Sequence, residues 1–187
     1  MKKQRKEFGQ ITYEEGNTLS VIDYELNSFD LVSYWLGVEL GKINTNDLFL
    51  RVGESRKKTD YISGPLSILL FSAELVDFFD EYSSKDIEFK NIVAYSSSGS
   101  KLSNYYLVNT KSTIDCLNYE NSTIMPTGGD DFDVIEPVIV ESKVPKNVSV
   151  FRAKHVTGCV FIRRKLAALV KKRNFCGIDF IDHESVK

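Results

Sequence analysis

One window constrains the fold of this chain more than any other. In FSAELVDFFDEYSS, Ser72 is placed to cap a helix N-terminus, with Glu74 and Asp77 in the first turns. Leu75, Val76, Phe78, Phe79 and Tyr82 then fall on one helical stripe. Such a stripe needs a broad apolar surface to lie against. Most other apolar residues come in short β-branched and aromatic runs broken by polar ones, the pattern of strands. SVIDYEL sets Val21, Asp23 and Glu25 against Ile22, Tyr24 and Leu26, as in a half-buried strand. IEFKNIVAY (87–95) and YYLVNT (105–110) read as an antiparallel hairpin around the SSSGSKLS loop. VIEPVIVES (134–142) is strand-like, with Pro137 placing it at an edge or a bulge.

DLVSYWLG (30–37) fits a short helix or a strand, and Trp35, the lone Trp, is expected to anchor a core. Residues 150–152 and 158–162 read as short strands. A second helix is expected between Arg164 and Asn174, burying Leu166, Leu169 and Val170. Lys171, Lys172 and Arg173 suit its last turn, and Gly177 suits a position just past its end. GIDFID closes the chain as a strand. The expected class is α+β: a mainly antiparallel sheet with a few amphipathic helices packed on it.

With 187 residues and 42% hydrophobic content, the chain can bury a sizeable core. The polar, basic stretch from Gly53 to Pro65, with Arg56 to Lys58 at its centre, suggests a boundary. It divides a β-rich N-terminal part (1–58) from a second part (59–187), the two expected to share a core. The net charge of −2 points to neither nucleic acid nor an anionic membrane. Three Cys argue against a disulfide framework, and MKKQRKEFGQ is followed by no apolar signal segment. These features suggest a reduced, cytoplasmic protein.

The stretch FRAKHVTGCVFIRRKLAALVKKRNFCGIDF poses the main chemical question, because it holds His155, Cys159 and Cys176. A Cys–His nucleophile pair needs side-chain contact and a third group to orient the base. If the segment is extended, residues four apart lie about 13 Å apart. Cys159 also sits in an apolar run, where Cys behaves as a small buried hydrophobe. As zinc ligands the three residues match no standard spacing. His183, near the end, reads as a frayed, solvated residue. TGGDDFDVIE carries Asp130, Asp131, Asp133 and Glu136 but lacks the layout of a calcium loop. Its Asp131-Phe132-Asp133 triplet is similar to the metal-binding carboxylate pair of some glycosyltransferases. The ranking is a solvated acidic loop first, a binding patch for a basic partner second, and a metal site third. Exposed tyrosines, Tyr119 among them, suit a protein interface.

From about Asp60 onward, three blocks in order carry a resemblance: PLSILLFSAELVDFFDEY with IEFKNIVAY, then YYLVNTKSTIDCLNYENS, then VFRAKHVTGCVFIRRKLAALVKKRNFCGIDF. Together they resemble the bacterial immunity proteins of polymorphic toxin systems, specifically immunity group eleven. That group is of myxobacterial type and was formerly a domain of unknown function. Arg163-Arg164 departs from the Ser and acidic residue the family often shows, which removes a helix-capping side chain. The resemblance implies an antidote without cofactor or metal that binds a toxin domain and is not an enzyme. The toxin would be encoded by a neighbouring gene. The acidic residues with Tyr119 are the expected contact, while Phe151, Arg152, Trp35, Cys159 and Gly177 are read as structural. Arg152 is expected to be a paired, partly buried cation that fixes its strand. The competing readings are a Cys/His or metal-dependent hydrolase and a regulatory protein-binding module. A homodimer through an exposed strand edge is compatible with either.

Overall fold

The computed structural model describes residues 5–13, 19–46, 48–53, 59–128 and 131–187. The basic loop Arg56 to Lys58 and Asp130 lie outside the described residues. In chain order the chain forms β1 (Arg5–Tyr13), β2 (Leu19–Glu25), α1 (Leu31–Trp35), β3 (Phe49–Val52), β4 (Tyr61–Ser63) and β5 (Leu69–Ser72). Next come α2 (Ala73–Ser83), β6 (Ile87–Asn91), β7 (Ala94–Ser96), β8 (Lys101–Leu102), β9 (Tyr105–Thr110) and β10 (Thr113–Ile114). The rest are β11 (Thr123–Gly128), β12 (Asp131–Glu136), β13 (Ile139–Val140), β14 (Val150–Ala153), β15 (Val156–Arg163), α3 (Arg164–Lys172) and β16 (Ile178–Val186).

This overturns the expected α+β class. Strand dominates, and the three α-helices among the described residues are short. The two large sheets are mixed. A six-stranded sheet runs β10-β14-β15-β1-β16-β13, and an eight-stranded sheet runs β6-β9-β5-β4-β2-β3-β7-β8. The pairs β10/β14, β13/β16, β2/β4 and β3/β7 are parallel. The physical reason is that neighbours in the sheets are distant in the chain. β1 lies between β15 and β16, with Phe8 opposite both Arg163 and His183.

Side-chain alternation along the strands then sets three apolar layers. On β15, Val160 and Ile162 join one buried cluster, while Phe161 joins another. On β5, Leu69 and Phe71 join the first cluster and Leu70 joins a second, so that the Phe161 cluster is the third. The first cluster therefore draws on one face of each large sheet, and the stripes of α2 (Leu75, Phe78, Phe79) and α3 (Leu166, Val170) pack into it. The expected cap of α2 is present: the Ser72 hydroxyl accepts from the Leu75 N–H at 3.3 Å. It also donates to Asp60, whose other oxygen accepts from the Cys176 N–H. α3 has no side-chain cap at Arg163, as the departure from the family pattern led one to expect.

Several expectations are corrected. The expected strand 87–95 breaks after Asn91: β6 pairs with β9, but β7 leaves to pair with β3 and β8. Asn174, at φ +56°, takes the left-handed position after α3. Gly177, at φ +87°, instead marks a close approach, because a Cβ there would lie 2.1 Å from the Thr59 hydroxyl. Trp35 is half-buried and donates to the Leu66 carbonyl at 2.7 Å. Arg152 is 0% exposed rather than partly buried. Its guanidinium lies 5.1 Å from the Tyr34 ring and donates to the Thr157 carbonyl. Its Nε and Nη2 have no hydrogen-bond partner among the described residues.

The Arg152 environment therefore rewards length and polarizable contact more than charge. Arg152→Ala should lower the unfolding free energy by about 2–4 kcal/mol through the cavity it leaves. Arg152→Met should cost less than half of that, because it fills the site without a buried charge. Urea unfolding of the two variants checks this, and equal losses would contradict it.

Candidate functional site

The β14–β15 pair carries an irregularity that organises the residues around it. Ala153 lies opposite Val156, but Arg152 lies opposite Val160. The residues Thr157, Gly158 and Cys159 therefore bulge from the ladder. Arg152 fastens the bulge through the Thr157 carbonyl. Lys154 and His155 form the turn between the strands, with His155 at φ +66°. This strained conformation turns the imidazole outward, against two other rings. The His155 centroid lies 6.1 Å from Tyr119 and 5.8 Å from Phe132, and those two rings lie 6.0 Å apart, edge to face.

Phe132 belongs to a two-stranded unit separate from both large sheets. β11 and β12 pair antiparallel, with Met125 opposite Asp133 and Pro126 opposite Phe132. Two strands alone are marginally stable in water, so the unit needs an anchor. Phe132 supplies one through the ring cluster, and half-buried Val134 supplies another by packing on the third core. Other side chains stay exposed. Met125 is 48% and Ile135 54% accessible, with Asp133 and Glu136 exposed beside them. The Thr123 hydroxyl donates to Glu136 at 2.8 Å across the ladder. From Ser112 to Ser142 the sequence contains seven Asp or Glu and no Lys, Arg or His. The result is a small acidic surface that also exposes apolar residues.

The sequence-derived candidates thus divide. Asp133, Glu136 and Tyr119 come together on or beside this hairpin, and the backbone of Asp131 is part of β12. Met125, Phe132, Ile135 and His155 were not anticipated as its companions. The sequence signal that could have found them is the absence of basic residues around two short strand-like runs. His155 lies in the turn and Cys159 in the bulge itself. The thiol of Cys159 packs against the third core, and burial pushes its pKa up, the wrong direction for a nucleophile. Cys176 is exposed and Cys116 buried, the latter pushed up to about 12 by burial. Among the described residues, no three His, Cys, Asp or Glu side chains gather in a way that could hold a metal. No described helix is long and apolar enough to cross a membrane.

His183 corrects the expectation of a frayed end. β16 pairs along β1, so its imidazole is half-buried, 3.0 Å from the Gln10 side chain and against the Phe161 ring. Burial holds its pKa below the ordinary value.

The family model for the immunity protein family (Imm11) matches residues 38–185, which includes the bulge, the ring cluster and the hairpin. No curated protein matches the chain.

Two outcomes follow from this geometry. Because the folded form resists protonation of His183, the unfolded form takes up the proton first as pH falls below about 6.5. Stability should therefore drop between about pH 7 and about pH 5, and His183→Gln should flatten that part of a melting-temperature profile. An unchanged slope would contradict the assignment. Tyr119→Ala should loosen the hairpin alone, speeding amide exchange across residues 123–136 by roughly tenfold, the equivalent of one aromatic contact. Uniform exchange changes across both sheets would contradict a local anchor.

Proposed function

This chain belongs to the immunity protein family Imm11, and from that premise we propose that it binds and neutralises a cognate bacterial toxin domain. The toxin is encoded by a neighbouring gene and meets the antidote in the cytoplasm. The observation that carries the proposal is the acidic hairpin with exposed Met125 and Ile135. Exposed apolar residues ringed by charge are a common form of protein interface, with energy at the centre and steering at the rim. A toxin that acts on a polyanion carries a basic surface, and carboxylates at 130, 131, 133 and 136 would draw it in. The mechanism in this reading is occupation of the toxin by a preformed surface, without turnover. The packing of Cys159 in a core and the outward turn of His155 support binding over hydrolysis.

We also propose that residues 1–58 and 59–187 act as one unit. The support is β1 lying between β15 and β16, and β2 between β3 and β4.

The test is co-expression with the toxin domain of the adjacent reading frame. The wild-type chain should restore growth and co-purify with that domain, and Cys159→Ala should protect equally well. Asp130→Lys with Asp131→Lys should slow association by roughly tenfold at low salt. Unchanged affinity in that variant would remove these two carboxylates from the contact. Failure of the wild type to protect or bind would remove the function itself, and loss of protection in Cys159→Ala would favour the hydrolase reading.

A further inference from the structure

A second feature is opposite in charge to the hairpin. A cleft of about 360 Å³ is lined by Glu7, Tyr82, Lys146, Arg163, Lys165 and Leu169, among others. Its cations are of two kinds. Arg163 is held by the Val148 carbonyl at 2.7 Å and the Pro145 carbonyl at 2.9 Å, with Glu7 at 4.0 Å. Lys146 and Lys165 are exposed and have no ion-pair partner among the described residues. Elsewhere on α3, Arg164 pairs with Asp182 and Lys171 with Asp179, while Lys172 has no ion pair among the described residues. Leu169 and Tyr82 line the same cleft, apolar side chains 39% and 41% exposed. The cleft thus combines exposed apolar side chains with cations, and the hairpin combines them with carboxylates.

Their positions decide what can fill the cleft. Ser149, just before β14, and Arg163, at the end of β15, line it. The turn at the far end of the same strand pair holds His155, and through it the hairpin. The two features sit at opposite ends of β14–β15, roughly 15 Å apart by strand length. One copy cannot place its own hairpin in its own cleft, but a neighbour can.

We propose that this chain self-associates head to tail, the β11–β12 hairpin of one copy docking in the Lys146–Lys165 cleft of the next. Met125 and Ile135 cover Leu169 and Tyr82, while Asp133 and Glu136 meet the two lysines. The hairpin cannot pair with its own kind, because carboxylate would face carboxylate. A heterologous contact of this sort forms rings if it closes and chains if it does not. The inference stands whether or not the hairpin also contacts a toxin. If it does, self-association covers that surface until the toxin displaces the neighbour.

Sedimentation velocity on the purified chain tests this over a dilution series. The runs are made at about 0.01 M and about 1 M salt, where charges act over roughly 30 Å and 3 Å. The mass should rise to at least twice that of the monomer at low salt and return to the monomer at high salt. Asp133→Lys with Glu136→Lys, and separately Lys146→Glu with Lys165→Glu, should each be monomeric at both. Mixing these two variants should restore association, since each supplies a matching pair, which also shows that both are folded. A wild type that stays monomeric at low salt overturns the proposal. So do variants that associate as the wild type does, or a mixture of folded variants, verified by melting curves, that stays monomeric.

Discussion

The buried Arg152 side chain, set between the β15 bulge and the Tyr34 ring, is the constraint on which the end of the molecule proposed to bind rests. It closes a three-residue bulge in β15 against the middle of β14. The bulge lies next to the turn, where Ala153 pairs with Val156 and His155 takes φ +66°. The same guanidinium lies over Tyr34, whose hydroxyl donates to the Val108 carbonyl at 2.7 Å. One buried side chain of the six-stranded sheet is thereby tied, through α1, to β9 of the eight-stranded sheet. A desolvated cation–aromatic contact contributes about 2 kcal/mol. That offsets part of the cost of burying a charge with two unpaired donor atoms.

From this point the logic runs outward. The turn presents His155, His155 and Tyr119 hold Phe132, and Phe132 fixes a two-stranded unit that has little else to pack on. The hairpin can therefore keep apolar side chains in water without collapsing onto the body of the protein. A preformed surface loses less conformational freedom on binding than a flexible loop does, which favours tight association. In the proposed reading, the fold supplies stability at its three cores and leaves binding to an appendage that those cores position.

Local features of this architecture were legible in the sequence. The Ser72 cap, the α2 stripe and β9 follow from spacing and turn chemistry, whereas the run expected over 134–142 ends at Glu136 and resumes as β13 in another sheet. The sheet partners were not legible, because local alternation says which side chains share a face but not which strand lies alongside. Phe8 opposite His183 joins residues at the two ends of the chain. That pairing buries an imidazole that reads as solvated when taken alone. The fold class failed for the same reason: short apolar runs assemble here into large mixed sheets rather than one antiparallel layer. At the site, the carboxylates of TGGDDFDVIE were visible as a cluster, but the exposure of Met125 and Ile135 and the support from His155 depend on tertiary contacts.

The most direct test of the central claim is amide hydrogen exchange of the chain, free and bound to the toxin domain of the adjacent reading frame. The account expects new protection concentrated in residues 119–136, with β1, β9 and β15 exchanging as in the free protein. Protection confined to other surfaces, with the hairpin exchanging as freely as before, would contradict it.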